Sequence, residues 1–287
     1  MTLEFSEHSE TSTGGAQLTS GLVATIDRYF DAAPRPDADA VEVGAFTLFV
    51  SRTPWSYYAR PSLHGDLPIE STDLELLAAA CRKHGVDLSV EWVHEVRPEL
   101  REAARAYGLS CEEHALMAAT ADQVRAQAVP GVTLRVVEPD DDALLAGRAI
   151  AEVSFGFGGT AVGEPGVVER DAALARISPE MAEHLRYRAR SGLTVTVVAE
   201  TADEGVVAAG SYQPMGPTAE VLAVATLPSA RRRGIAAALS ARLAQHAHGA
   251  GVETAVLSAQ DADVVRVYER AGFTAVGTVH AAEPGQD

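Results

Sequence analysis

Basic residues are scarce in this chain. Twenty-three Lys and Arg stand against 40 Asp and Glu in 287 residues, a formal net charge of −17. A surface of that sign repels nucleic acid and anionic membranes, so neither is an expected partner. It favours a cationic partner instead, although net acidity also serves solubility alone. Cysteine is nearly absent: Cys81 and Cys111 are the only two. They cannot form a disulfide framework, and with nine histidines they show no metal-ligand spacing, so no metal is expected. No apolar run approaches the roughly 20 residues that span a bilayer. The first residues are acidic and polar, without a basic stretch leading into an apolar one. These absences point to a reducing, cytoplasmic setting with both thiols buried and inert. What the chain does have is apolar residues, 47% of the total, enough for one large domain or two modest ones.

Residues 1–19, rich in Ser, Thr, Glu and Gly, read as a flexible arm. A short amphipathic helix is expected over Leu22–Phe30, a Pro/Ala/Asp linker over 31–39 and one strand over Glu42–Ser51. Trp55, Tyr57 and Tyr58 concentrate aromatic surface in the loop after it; they either line a binding pocket or cover a core edge, packing being the better reading. Ser71-Thr72-Asp73 can start a helix that runs to His84 and stops at Gly85. Leu88–His94 reads as a strand, 98–107 as a helix ended by Gly108, and Leu109–Ala119 as another strand. The layout of 96–109, a helix, an aromatic residue, Gly and an apolar residue, recurs at 263–273. The expected organisation is therefore an N-terminal domain over 20–120, a linker over 121–130 and a second domain over 131–287.

In that second part, Gly131–Glu138 reads as a strand and Pro139–Ser154 as a helix with acids at its positive end. The loop Phe155-Gly-Phe-Gly-Gly-Thr-Ala161 fits G-x-G-x-x-A, but it follows a helix and lies in no βαβ unit, so a dinucleotide site is rejected; its glycines suggest mobility. Residues 169–190 are helical with a break at Ser178-Pro179, and strands follow at 193–200, 205–213 and from Glu220. The apolar run Val221–Thr226 ends at Pro228, and Arg231-Arg232-Arg233-Gly234 leads into a helix with Ile235, Leu239, Leu243 and Ala247 on one face. Strand, basic glycine-containing loop and helix make a phosphate-binding arrangement, because the first helical turn offers free N–H groups and the positive end of its dipole. The bland reading is an ordinary crossover with a solvated arginine run.

Arg231-x-x-Gly234-x-Ala236 fits [Q/R]-x-x-G-x-[G/A], and this stretch resembles the acyl-CoA pyrophosphate loop of the GNAT superfamily of N-acyltransferases. Tyr268, Glu269, Gly272 and Phe273 are similar to the superfamily's N-x-x-A-x-x-x-Y-E-x-x-G-F signature, with Asp261 and Val264 at the usual Asn and Ala positions. The resemblance implies an α/β (α+β) fold, with a mixed, mainly antiparallel central sheet flanked by helices. The N-terminal part then resembles the second half of such a domain without its cofactor loop, or is an unrelated α/β extension. The resemblance also implies an acetyl-CoA-dependent N-acetyltransferase that uses acetyl-CoA as acyl donor and a small amine, cationic metabolite or antibiotic, as acceptor, with direct transfer in a ternary complex. Its alternatives are a protein or peptide acetyltransferase and a non-catalytic acyl-CoA-binding scaffold. Monomer and homodimer both stay open. Implied cofactor contacts are Val224, Ala225 and Thr226 for the thioester and pantetheine; Arg231, Arg232, Arg233, Gly234, Ile235, Ala236 and Ala237 for the pyrophosphate; and Asp261, which accepts but cannot donate a hydrogen bond. Tyr268 is the implied proton donor to the leaving thiolate, against a core-packing alternative. Glu220 is the candidate general base, against a solvated strand-edge glutamate, with Glu152, Glu200 or a backbone-held water in competition. The 155–161 loop falls between the first two helices, where acceptor contacts sit in the superfamily.

Overall fold

The computed structural model describes residues 10–64 and 68–285, with side chains from residue 20 onward. Its central element is an eight-stranded sheet in the order β4-β11-β5-β10-β9-β8-β7-β6. The strands are β4 (Val90–Val93), β5 (Leu109–Ala119), β6 (Thr133–Val136), β7 (Val195–Thr201), β8 (Gly205–Met215), β9 (Thr218–Thr226), β10 (Thr254–Ala259) and β11 (Thr274–Pro284). Neighbours in this sheet run antiparallel except β9 and β10, which are parallel. That is the mixed, mainly antiparallel sheet expected from the sequence.

Both faces of the central strands are buried, which is why β8 reads as a continuous Val-Val-Ala-Ala-Gly run rather than an alternation. Helix α4 (Ala143–Phe157) covers one face and α7 (Ile235–Gly249) the other. Two glycines set these approaches. A Cβ at Gly147 would stand 3.0 Å from Ala209 Cβ, and one at Gly210 would stand 2.9 Å from Leu243 Cδ1, so each helix lies closer to the sheet than any larger residue allows. On the α7 face the Tyr212 hydroxyl meets His246 Nδ1 at 2.9 Å. The helical stretch expected over 169–190 is two helices, α5 (Val167–Leu174) and α6 (Pro179–Arg190). The break falls where Pro179 enters at the first turn and Ser178 Oγ accepts the Met181 N–H at 3.1 Å.

The other end of the sheet carries an internal two-fold relation. β4, α3 (Leu100–Tyr107) and β5 repeat as β10, α8 (Ala262–Ala271) and β11, and each helix ends at a left-handed glycine, Gly108 or Gly272. β11 lies between β4 and β5, and β5 lies between β10 and β11. The pairs His114↔Val279 and Ala115↔Thr278 exchange under this dyad, as do Glu113↔His280 and Leu116↔Gly277. Each unit has thus given its last strand to the other. Residues 20–120, read from sequence as a domain of their own, contribute two strands to the same sheet as residues 131–287.

The rest of the N-terminal part packs around that junction. α2 (Ser71–His84) stops at Gly85, φ 68°, as its sequence predicts, and packs with α3 over β1 (Ala38–Val43), β2 (Phe46–Ser51) and β3 (Arg60–Pro61). The single strand expected over 42–51 is a hairpin, because Gly44 turns the chain at φ 57°. The arm expected over 1–19 is helical from Glu10: α1 runs Glu10–Ala32, and residues 1–9 lie outside the described residues. Val23, Ile26, Tyr29 and Phe30 of α1 lie on the sheet face formed by Val93, Val279, Leu116, Ala118 and Val256. A buried ion pair, Asp37 with Arg188, joins the start of β1 to α6.

Candidate functional site

The sheet opens between β9 and β10. Their pairing runs only from Thr254↔Thr218 to Val256↔Glu220, so β9 from Val221 onward and β10 from Leu257 onward diverge into a fork with Glu220 at its vertex. On β9 a bulge follows. Ala209 faces Ala225 and Ser211 faces Leu222, leaving Ala223 and Val224 opposite Gly210 alone, with Ala223 in the left-handed region at φ 52°. Val224, Ala225 and Thr226 form the arm beyond this bulge, with Ala225 and Thr226 paired to β8 and the side toward β10 unpaired. The Thr226 hydroxyl is buried there and has no hydrogen-bond partner among the described residues.

Beyond Thr226 the chain makes one 3₁₀ turn at Pro228–Ala230 and reaches the Arg231–Gly234 loop. Arg232 and Gly234 both take left-handed φ, 65° and 82°, and Gly234 caps α7. Ala238 is the first N–H of this helix to find a carbonyl, that of Gly234 at 3.1 Å. Among the described residues the backbone N–H groups from Arg232 through Ala237 have no acceptor, and the Arg232 and Arg233 side chains have no ionic or hydrogen-bonded partner. A row of free donors, a Cβ-free cap and a positive helix end fit a diphosphate. The corresponding helix of the N-terminal unit, α2, offers the reverse: Glu70 and Asp73 stand at its start, and Asp73 Oδ2 accepts the Glu70 N–H at 3.0 Å. That helix start is acidic where α7 is basic.

Arg231 is placed differently from its neighbours. Its guanidinium donates to Thr226 O (3.2 Å), Gly158 O (2.8 Å), Ala161 O (3.2 Å) and Ser154 O (3.0 Å), and its Cζ stands 5.4 Å from the Phe157 ring centroid. The glycine-bearing loop expected to be mobile is therefore fastened to the fork.

Glu220 sits half-buried at the vertex, on the sheet face that α1 covers. The Tyr29 hydroxyl donates to Gln213 O at 2.8 Å, and Gln213 is the β8 residue directly opposite Glu220. Burial pushes the Glu220 carboxyl up to about 7; the Glu91 carboxylate adds to the rise, and the Arg60 guanidinium opposes it. Arg60 and Glu91 are themselves an ion pair, with Arg60 stacked 4.5 Å over the Phe30 ring. The two competing carboxylates are engaged elsewhere: Glu200 is held by Arg135 through two bonds of 3.0 and 2.9 Å, and Glu152 pairs with Arg176.

Tyr268 comes from α8, directly after β10, the other arm of the fork. Its ring meets Phe273 edge-on at 6.1 Å, and burial pushes its phenol up to about 12, so it stays protonated at neutral pH. Asp261 serves as the N-cap of α8: Oδ1 accepts the N–H groups of Asp263 and Val264, both at 2.8 Å. The carboxylate expected to touch the cofactor is already occupied by its own helix, the usual role of Asp at that position. Trp55 packs between Arg148 of α4 (5.6 Å) and His184 of α6 (6.1 Å).

Residues 169–273 match the model of the acetyltransferase (GNAT) family. That segment is a GNAT-family domain. No curated protein matches the chain. Among solved structures it is similar to a GCN5-related N-acetyltransferase from Kribbella flavida, with 23% identity, 92% of this chain and 96% of that one covered, and a TM-score of 0.69. It is also similar to a tandem GNAT protein from the clavulanic acid biosynthesis pathway (17% identity, 85% and 80% covered, TM-score 0.51). A functionally unknown conserved protein from Staphylococcus epidermidis follows (13% identity, 86% and 93% covered, TM-score 0.52). These likenesses establish the fold. In the GNAT domain the fork, the bulge and the Gly234 loop lie inside the matched segment, whereas Tyr29, Arg60 and Glu91 lie outside it. Sequence reasoning missed those three. They come from separate elements, and only the recurrence of helix, aromatic and glycine at 96–109 and 263–273 hinted that the two parts share a sheet.

Proposed function

We propose that this protein is an N-acyltransferase that takes its acyl group from acetyl-CoA and passes it to a primary amine. The observation that carries this reading is the run of unpaired N–H donors from Arg232 to Ala237, which opens beside a fork whose vertex is Glu220. The donors bind the pyrophosphate, with Arg232 and Arg233 adding charge. The free β10-facing edge of Val224–Thr226 lies alongside the pantetheine. The thioester of the bound donor supplies the activated acyl group.

The residues of the chain then do three things. Glu220, titrating near neutrality, takes a proton from the ammonium or the attacking nitrogen, directly or through a water. Backbone N–H groups on the diverging arm stabilise the negative charge that develops on the carbonyl oxygen. Tyr268, neutral at pH 7, donates its proton to the departing sulfur. An acidic molecule draws in a cationic amine, so small polyamine-like or aminoglycoside-like acceptors suit this reading best.

Acceptor-dependent release of CoA thiol, measured from acetyl-CoA across amines, amino acids, aminoglycosides and peptides, tests the proposal. Release with small amines supports it. Release with peptides alone reassigns the acceptor class, and a melting temperature that CoA leaves unmoved removes the donor site altogether.

A further inference from the structure

Arg231 belongs to the phosphate-loop pattern, yet its side chain is spent on a different segment. The loop after α4 is laced to the strand end and the 3₁₀ turn before the cradle. Ser154 Oγ donates to Thr226 O at 3.0 Å, Gly163 N to Pro228 O at 3.2 Å and Ser229 N to Pro165 O at 3.1 Å. Gly166 lies so close that a Cβ there would meet Ser229 Oγ at 2.9 Å. Arg231 ties the remaining stretch. Its carbonyl partners lie on the last turn of α4, on the two sides of the glycine run and at the end of β9, and Phe157 covers the guanidinium. Desolvation pulls the Arg231 pKa below its ordinary value, as befits a cation taken out of water among neutral carbonyls.

We propose that Arg231 is a positioning residue that makes the order of residues 154–161 depend on occupancy of the phosphate cradle next to it. This rests on the acyl-CoA reading of the cradle. Arg232, immediately after Arg231, is held in the left-handed region, so the backbone that reaches for phosphate and the side chain that grips the neighbouring loop leave the chain in different directions. A ligand that fixes the backbone of 232–237 fixes the base of the Arg231 side chain. Through it the ligand fixes the lip formed by Phe155, Phe157 and Val162, all exposed. That lip flanks the fork, so donor binding sets one wall of the space the acceptor must enter. Two sites that share such an element are coupled reciprocally, and each orders the other.

Hydrogen exchange of the full-length protein, followed by mass spectrometry with and without CoA, tests this. In the wild type, saturating CoA slows exchange across 155–163 by about fivefold or more, the lower end of ordinary allosteric coupling. In Arg231→Gln the same amides exchange faster without ligand, CoA still binds within about threefold of wild-type affinity by calorimetry, and binding no longer slows their exchange. Arg231→Lys, which keeps one cation but not the fork of donors, restores part of the protection; it also replaces the Gln variant if that one does not fold. Arg232→Ala with Arg233→Ala weakens CoA binding and leaves the ligand-free exchange of 155–163 as it was. The proposal is overturned if Arg231→Gln loses CoA affinity about tenfold while 155–163 keeps its wild-type exchange, because Arg231 would then be a phosphate ligand. CoA binding in the wild type without any protection of 155–163 overturns it as well. No CoA binding in the wild type removes the acyl-CoA reading itself.

Discussion

At the scale of single residues, the proposed chemistry rests on Glu220. A carboxyl pushed up to about 7 is half-ionised where a cell works, and catalysis by base requires the ionised form. The rate at limiting amine is therefore expected to rise with pH and level off above about 7, from this group alone. Glu220→Gln should lower kcat by about a hundredfold or more and flatten that limb. Tyr268→Phe should cost a similar factor while leaving CoA affinity intact, as measured by calorimetry. The same shift is a stability statement. Folded Glu220 keeps its proton up to about pH 7, whereas the unfolded chain releases it in the ordinary carboxylate range. Its contribution is therefore full at low pH and lost as pH rises through 7. The stability difference between wild type and Glu220→Gln should move against the wild type over that interval, by at most on the order of 3 kcal/mol, in denaturation curves at matched pH. Equal pH dependence in the two proteins would show that Glu220 is not buried as described.

At the scale of elements, two glycines with the same local role make unequal predictions. Gly108 and Gly272 each end a helix in the left-handed region, at φ 97° and 105°. A Cβ at Gly108 meets nothing within 4 Å, whereas one at Gly272 would stand 2.0 Å from Gln123 O, where Arg125 N also donates to Ala271 O at 2.9 Å. Gly108→Ala should therefore cost about 1 kcal/mol of backbone strain, and Gly272→Ala about 3 kcal/mol or more, because the 120–125 segment must lift away. Chemical denaturation of the two variants checks the ratio. Both helix ends were legible in the sequence, since Gly after an aromatic or small residue at the end of an amphipathic run is a local signal. The glycine-capped loop before α7 was legible for the same reason. The hairpin at Gly44 was not, because Val43-Gly44-Ala45 also suits one continuous strand. The grip of Arg231 on residues 154–161 was not either, since a side chain's partner more than 70 residues away leaves no mark on local spacing.

At the scale of the whole molecule, the sequence suggested two units in line, and the structure has them interleaved. Local periodicity found β5 residue for residue and β4 to within two residues, but it drew no strand over Thr274–Pro284, strand order is settled by which edges meet, and nothing in an alternating run of Ala, Val and Met names its neighbour. The consequence for function is direct. Arg60 and Glu91 of the N-terminal unit act on the Glu220 carboxyl, and Tyr29 holds the strand residue opposite it, so the matched GNAT segment does not by itself complete the proposed site. Residues 121–287 expressed alone should be insoluble or weakly folded, because removal of β5 leaves both β10 and β11 with an open edge. Co-expression with residues 1–120 should restore a soluble complex that co-purifies in equal amounts. A soluble, CoA-binding 121–287 fragment would contradict the interleaved sheet.

Strand exchange also bears on how the chain is made. β5 leaves the ribosome before everything from Thr120 to Phe273, yet both of its neighbours in the sheet are strands that come after it. Until β10 and β11 emerge, the nascent N-terminal unit presents β5 with apolar Leu116, Met117, Ala118 and Ala119 and no partner on either side. Native closure of the sheet therefore waits for β11. The yield of the protein should depend on chaperones more steeply than that of a protein whose sheet is closed by its own consecutive strands, as expression with and without co-expressed chaperones would measure.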